Sequence, residues 1–295
     1  MYNLIIILGP TASGKSSLGV RLAKKFHGVI ISADSRQVYR GLDLGTGKIT
    51  KREMAGVPHY LLNVAAPTGQ YSVDRYVRDV LRVLKKIPAT TPVFLVGGSP
   101  FYIDALTKPN SYSPVPPNLV LRRRLEKLST SLLIMLLKKK NPARAKTIDL
   151  ANRRRLIRAI EVASVKHPPK TQALPTFRVL KLGTKISKPK LHRNISARVD
   201  QRINAGMINE VRRLHQHGLP WKRLDAFGLE YRYITTHLQG KITKQEMIVQ
   251  LNSGIRNFAK RQITWWKRDQ AIQWITPAQA APLVKKFLRP EQFLE

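Results

Sequence analysis

Short runs of aliphatic and β-branched residues punctuate the first third of the chain, at Leu4–Leu8, Val29–Ser32 and Val93–Val96, with helix-like stretches between them. This alternation predicts strands in βαβ units and a parallel sheet. Beyond residue 196 the pattern turns helical: Val199, Ile203, Met207, Val211 and Leu214 recur at close to helical spacing, and Arg198 and Arg202 share a face beside them. Thr243 followed by Glu246 is a capping-box signature. Met247, Leu251, Ile255, Phe258 and Ile263 continue from it as an apolar stripe on a long C-terminal helix, with Arg256, Lys260 and Lys267 on another side. No internal repeat or low-complexity tract is present.

Between these regions the composition changes. Residues 108–195 open with the Pro-rich PNSYSPVPPN and carry 22 Lys and Arg against 3 Asp and Glu. This divides the chain into a core of 1–107 with 196–295 and a mostly helical, basic insertion at 108–195. The whole chain has 53 basic and 17 acidic residues, a formal charge of +36, which points to a polyanionic partner, nucleic acid above all. The opening MYNLIIILGP is too short to span a bilayer and lacks a basic leader, so it reads as a buried strand. LLIMLL at 132–137 is bounded at once by Lys138. A soluble cytoplasmic protein with no membrane partner is expected. The chain has no cysteine, which excludes disulfides, thiolate zinc sites and a cysteine nucleophile.

The strongest local signal is Gly9-Pro10-Thr11-Ala12-Ser13-Gly14-Lys15-Ser16, which fits GxxxxGK[ST], follows an apolar strand and precedes a helix-like segment. Glycines let the backbone fold around an anion, successive amides and the helix N-terminus face phosphate oxygens, Lys15 neutralises charge, and the Ser16 hydroxyl can ligate magnesium. The expected fold is α/β, a P-loop NTPase-like parallel sheet core flanked by helices. A phosphate cradle alone does not specify a kinase, because the same geometry holds any diphosphate and stabilises it as a leaving group. The second strand ends in Ser32-Ala33-Asp34-Ser35-Arg36-Gln37, placing a carboxylate at the sheet edge beside the phosphate site. On residue chemistry alone Asp34 serves equally as a magnesium ligand or a general base, with a plain strand-end cap as the third reading.

Seven segments taken in order are recognisable: GPTASGKS at 9–16, SADSRQVY at 32–39, LGTGK at 44–48, GVPHYLLNV at 56–64, GGSPFY at 97–102, RRRLIRAIE at 153–161 and FAKRQITWWKR at 258–268. Together they resemble the tRNA dimethylallyltransferase family over nearly the whole chain. The resemblance implies dimethylallyl diphosphate as donor and magnesium as cofactor. It implies a tRNA anticodon stem-loop as acceptor, alkylated at the exocyclic N6 of adenosine 37 in tRNAs reading codons that begin with U. It assigns Asp34 as the base, Ser99 as a hydroxyl beside it, and Arg202 with Gly9, Lys15, Ser16 and the Thr11–Gly14 backbone as the diphosphate site. Asp34, Ser35, Arg36 and Gln37 would contact the extruded base. Arg154, Arg155, Leu156, Ile157, Arg158, Arg256, Lys260 and Arg261 match segments that hold the anticodon arm, and Arg122 is a further candidate for touching tRNA. A monomer is the family expectation.

Blander readings stand beside these. Arg122 divides evenly between touching tRNA and forming the wet face of a helix, at least one of Trp265 and Trp266 is more in keeping with a core position, and His59 is as well explained structurally. The chain departs from the family pattern at Pro100, at Asn63 in place of an aspartate, and at Ile49. The rival functions are prenylation of free adenine nucleotides, which needs no basic insertion, a P-loop kinase, and a non-catalytic RNA-binding protein.

Overall fold

Six parallel strands, β1 (Tyr2–Leu8), β2 (Val29–Ser32), β3 (His59–Tyr60), β4 (Val93–Val96), β5 (Phe177–Thr184) and β6 (Ile272–Ile275), form one sheet in the order β3-β2-β4-β1-β5-β6. The three apolar runs read from sequence are β2, β4 and most of β1. Ile5, Ile6, Ile7 and Leu8 have no exposed surface. Both faces of β1 are therefore covered, which is why it reads as a continuous apolar run and not as an alternation. On one face Ile5, Ile7, Phe94, Val96 and Leu182 pack against helices Lys15–Lys25 and Pro277–Leu288. The hydroxyl of Tyr76, from helix Val73–Leu84, donates to the Ser32 carbonyl.

This computed structural model describes residues 1–108 and 111–289. Two compact units divide the chain, Met1–Pro109 with Leu174–Glu295, and Asn110–Ala173. The insertion is thus shorter than the 108–195 expected from composition, and Pro109 and Asn110 of its Pro-rich entry lie outside the described residues. β5 lies beside β1 in the sheet, with Leu4 opposite Val179 and Leu8 opposite Gly183. Its basic residues disguised it: Lys181 sits on this inner strand because Asp269 neutralises it at 2.7 Å. The Lys- and Pro-rich segment that follows opens the helix Lys188–Asn204, with Pro189 in its first turn, where a missing N–H costs nothing. Residues 111–173 carry 15 Lys and Arg against three acidic residues, so most of the chain's positive excess lies on the larger unit.

Two helical expectations need correction. The apolar series from Val199 to Leu214 spans two helices, Lys188–Asn204 and Met207–Gln216, broken at Gly206 with φ +96°. On helix Lys244–Trp266 the buried stripe is Met247, Leu251, Ile255, Ala259, Gln262 and Trp266, while Phe258 is exposed. The capping box at Thr243 and Glu246 forms as expected.

The smaller unit has its own core, in which Leu125, Leu133, Leu137, Leu156, Ile157 and Ile160 meet. Glu161 is buried among them. Its carboxylate takes two hydrogen bonds from Arg122 (2.8 and 2.7 Å), one from Arg158 and one from the Asn118 amide (2.6 Å). Arg158 also donates to the Ser113 and Val115 carbonyls. These bonds hold the Glu161 carboxyl below its usual range against the opposing effect of burial. Removing this shared buried carboxylate takes the acceptor from the Arg122 guanidinium and the Asn118 amide and leaves Arg158 only its two carbonyl partners. Glu161→Ala is therefore expected to destabilise this unit by about 3 kcal/mol, seen as an earlier urea transition, whereas Glu126→Ala on the exposed surface leaves the transition in place.

Candidate active site

The strand order β2-β4-β1-β5 brings four chain segments side by side at the C-terminal edge of the sheet: Asp34 after β2, Gly97-Gly98-Ser99 after β4, the phosphate loop after β1, and Thr184 at the end of β5. In an open parallel sheet this edge is where a ligand crevice forms. The loop runs from Gly9 to Gly14, with Ala12 at φ +60° and Gly14 at φ +83°, and delivers Lys15 and Ser16 to the first turn of helix Lys15–Lys25. That conformation is supported from outside. Thr11 N–H donates to Gln262 Oε1 (2.9 Å), Asn194 Nδ2 donates to the Ala12 carbonyl (3.1 Å), and Thr184 Oγ1 donates to Ser13 Oγ (2.7 Å). The Thr11 amide is thereby engaged by the protein, leaving the amides nearer the helix for an anion.

Lys15 Nζ donates to the Pro10 carbonyl at 3.1 Å. Burial, followed by Arg198, pushes Lys15 down to about 8; Asp34 opposes the shift and Arg202 adds to it. Arg198 is itself lowered to about 10 by burial and then by Arg202. Glu230 moderates this concentration of positive charge, with Oε1 3.5 Å from Arg202 Nη1. The Glu230 carboxyl is raised by burial, with Arg202 opposing. Gly47, at φ +57°, passes so close to the Arg202 guanidinium that a Cβ there would overlap it. A glycine there suits the left-handed backbone and leaves the guanidinium where it lies.

Asp34 begins a tight turn: its Oδ1 accepts from the Arg36 N–H (2.8 Å) and the Gln37 N–H (3.4 Å). Among the described residues Oδ2 takes no hydrogen bond. The strand-end cap and an available carboxylate oxygen therefore coexist in one side chain. The Ser99 hydroxyl accepts from the Ser35 N–H at 2.9 Å, so it touches the turn one residue beyond Asp34 and not the carboxylate itself. Gln37 donates through Nε2 to the Thr46 and Gly47 carbonyls. The loop carrying Gly47 is anchored by Glu210, whose carboxylate accepts from the amides of Asp43, Leu44 and Gly45 and from the Tyr231 hydroxyl.

The sequence model of the IPP transferase family matches residues 37–269. tRNA dimethylallyltransferase 1 of Geotalea daltonii is 41% identical over 291 residues, 97% of this chain and 94% of the relative. The tRNA dimethylallyltransferase of Carboxydothermus hydrogenoformans is 39% identical, covering 92% and 91%. The chain belongs to the IPP transferase family. Among solved structures, the full-length tRNA isopentenylpyrophosphate transferase of Bacillus halodurans superposes with a TM-score of 0.73 at 30% identity, over 98% of this chain and 97% of that one. A eukaryotic dimethylallyltransferase acting on tRNA shares the fold at a TM-score of 0.83 and 21% identity, over 99% of this chain and 82% of that one.

Two of the departures from the family pattern, Pro100 and Asn63, have structural accounts in this chain. Pro100 occupies the first turn of helix Pro100–Thr107, a position suited to proline. Asn63 still offers an oxygen, which accepts from Lys48 alongside the Tyr39 carbonyl and Asp43. His59 bonds the Val57 carbonyl through Nδ1, a structural contact. Of the residues matched to the family's tRNA-holding segments, Arg154, Arg155, Arg256, Lys260 and Arg261 are exposed. Leu156 and Ile157 are buried in the core of the smaller unit, so their side chains are not available as contacts, and Arg122 and Arg158 are engaged by Glu161. Trp266 is core at 1% exposure. Trp265 lies against Phe101 at 5.4 Å between ring centroids.

Sequence reasoning gave no role to Gln262, Thr184, Asn194, Glu210 or Glu230, and placed Arg198 without assigning it one. Only Gln262 carried a signal, a polar residue on the helical spacing of an otherwise apolar stripe. Because Lys15 is pushed down to about 8, it is mostly protonated at pH 7 and mostly neutral at pH 9, so the cradle loses one of its three positive charges over that range. Binding of sulfate, whose own charge is constant over that range, is expected to weaken about tenfold from pH 7 to pH 9 as the protonated fraction falls, and Lys15→Met to bind weakly with no such dependence, both measured by calorimetric titration.

Proposed function

We infer that this chain is a tRNA dimethylallyltransferase, transferring a dimethylallyl group from dimethylallyl diphosphate to the exocyclic N6 of adenosine 37 beside the anticodon. The observation that carries this reading is a phosphate cradle with three cations, Lys15, Arg198 and Arg202, set beside a carboxylate with a free oxygen, in a chain of this family. The named relatives favour tRNA over a free nucleotide, and the +36 charge agrees with a polyanionic acceptor.

The amine of adenine is a poor nucleophile because its lone pair is delocalised into the ring, so a positioned base assists it. The target base is extruded from the anticodon loop to meet the Asp34–Gln37 turn. As the N6–C bond forms, the allylic C–O bond breaks, the proton passes to Asp34 Oδ2, and diphosphate leaves with its growing charge held by Lys15, Arg198 and Arg202. Ser16 is exposed in the first helical turn, and no cluster of three or more metal-ligating side chains exists among the described residues. One hydroxyl beside a diphosphate suits magnesium, which is held by few protein oxygens together with phosphate and water. Bound there through Ser16, magnesium would neutralise charge on the leaving group. Arg154, Arg155, Arg256, Lys260 and Arg261 would meet the tRNA backbone.

Labelled dimethylallyl diphosphate is expected to label an unmodified tRNA with consecutive adenosines after its anticodon, and to label neither AMP nor an adenosine-37-to-guanosine variant; label on AMP alone would sink this reading. Asp34→Asn is expected to slow single-turnover transfer at saturating donor by about 100-fold or more, and an unchanged rate would remove Asp34 from the chemistry. The affinity for tRNA is expected to fall steeply with salt, and Arg256→Ala and Arg261→Ala each to reduce the slope of log affinity against log salt by about one.

A further inference from the structure

Gln262 is the one polar side chain on the buried stripe of helix Lys244–Trp266, and it is 5% exposed. Both ends of its amide are engaged. Oε1 accepts from the Thr11 N–H at 2.9 Å and Nε2 donates to the Gly98 carbonyl at 3.0 Å. A backbone amide can only donate and a carbonyl only accept, so these partners fix which end of the side chain is which. The fit is close: a Cβ on Gly98 would lie 2.6 Å from Nε2, and 3.6 Å from Lys15 Cε, which sets the Gly98 backbone against the phosphate-site lysine.

The residue after Gly98 continues the connection. Ser99 N–H donates to the Ala33 carbonyl (3.1 Å), and the Ser99 hydroxyl accepts from the Ser35 N–H (2.9 Å). Gln262 therefore lies in an unbroken path from Thr11 in the phosphate loop, through Gly98 and Ser99, to the turn that presents Asp34. Two loops that leave neighbouring strands independently are held at a set separation by one planar amide.

We propose that Gln262 is a positioning residue for the transfer reaction, fixing the phosphate loop against the Gly98–Ser99 loop so that the allylic carbon and the attacking nitrogen meet in line. The proposal rests on the prenyl-transfer reading above. Misplacing reacting atoms by about 1 Å costs on the order of 100-fold in rate, far more than it costs in binding. Its loss is thus expected in the chemical step and not in the affinity for either substrate.

The test uses the full chain with Gln262→Met, which preserves length and removes both hydrogen bonds. Single-turnover transfer at saturating donor and tRNA is expected to slow at least about tenfold, while the dissociation constants for inorganic diphosphate and for tRNA stay within about threefold of wild type. A wild-type rate in folded variant would overturn the proposal, as would a loss confined to diphosphate or tRNA affinity. If the Met variant does not fold, as judged by its thermal transition, Gln262→Glu takes its place. It keeps an acceptor for Thr11 and sets an oxygen against the Gly98 carbonyl, and the same slowing at saturating donor is expected; a wild-type rate there overturns the proposal equally. Wild-type protein run in parallel separates the two claims, since absence of transfer to tRNA by wild type would sink the prenyl-transfer reading itself.

Discussion

A phosphate-binding loop has to hold backbone amides open toward a ligand, so those amides cannot be consumed by a helix or a sheet ladder. Some other part of the protein must keep the loop in shape. Here that support arrives from three elements far away in sequence: Gln262 on helix Lys244–Trp266, Asn194 on helix Lys188–Asn204, and Thr184 at the end of β5 bind Thr11, Ala12 and Ser13 in turn. Preorganisation of this kind lets the site meet developing charge without rearranging at the moment of reaction. The position of β5 in the sheet and the packing of both helices bring these three side chains to the loop.

The same helices also bring the charge. Arg198 and Arg202 lie one turn apart on helix Lys188–Asn204 and face Lys15, close enough that both depress its ionisation. Three cations in a buried crevice are costly before an anion arrives. Glu230 and Asp34 offset part of that cost, and Gly47 gives Arg202 the space to enter. A diphosphate would complete the balance, which gives the crevice its preference for an anionic ligand.

Acidic residues are scarce in this chain, and three of them serve as organisers, Glu161 and Glu210 buried and Asp269 partly so. Glu210 gathers three consecutive amides of the 43–45 turn and the Tyr231 hydroxyl, Glu161 joins two arginines and the Asn118 amide, and Asp269 neutralises Lys181 on the sheet. Glu161 and Glu210 are carboxylates removed from water and satisfied by several donors at once, which is the condition under which such burial is tolerated. Arg158, which the family resemblance assigned to tRNA, and Arg122, for which tRNA contact and a solvated helix face were evenly weighed, are both held by this arrangement.

The strands β1, β2 and β4, the phosphate loop and the capping box of the long helix were legible from sequence, because each leaves its mark within a short stretch of chain even where its partners are distant. Apolar runs buried on both faces, glycines before a lysine at a helix start, and a Thr-x-x-Glu cap are local signatures of that kind. Asp34 could be placed at the sheet edge for the same reason, since it follows a recognisable strand, whereas Ser99 was assigned only through the family resemblance. β5 was hidden because Lys181 is neutralised by a partner 88 residues away, and the break at Gly206 because its flanking helices continue one apolar series. The engagement of Arg122 and Arg158 by Glu161, the anchoring of the 43–47 loop by Glu210, and the bridge from Gln262 to Thr11 and Gly98 were decided by tertiary structure alone. Hydrogen bonds and ion pairs between distant segments leave no periodicity in the chain, and only folding brings their donors and acceptors within reach.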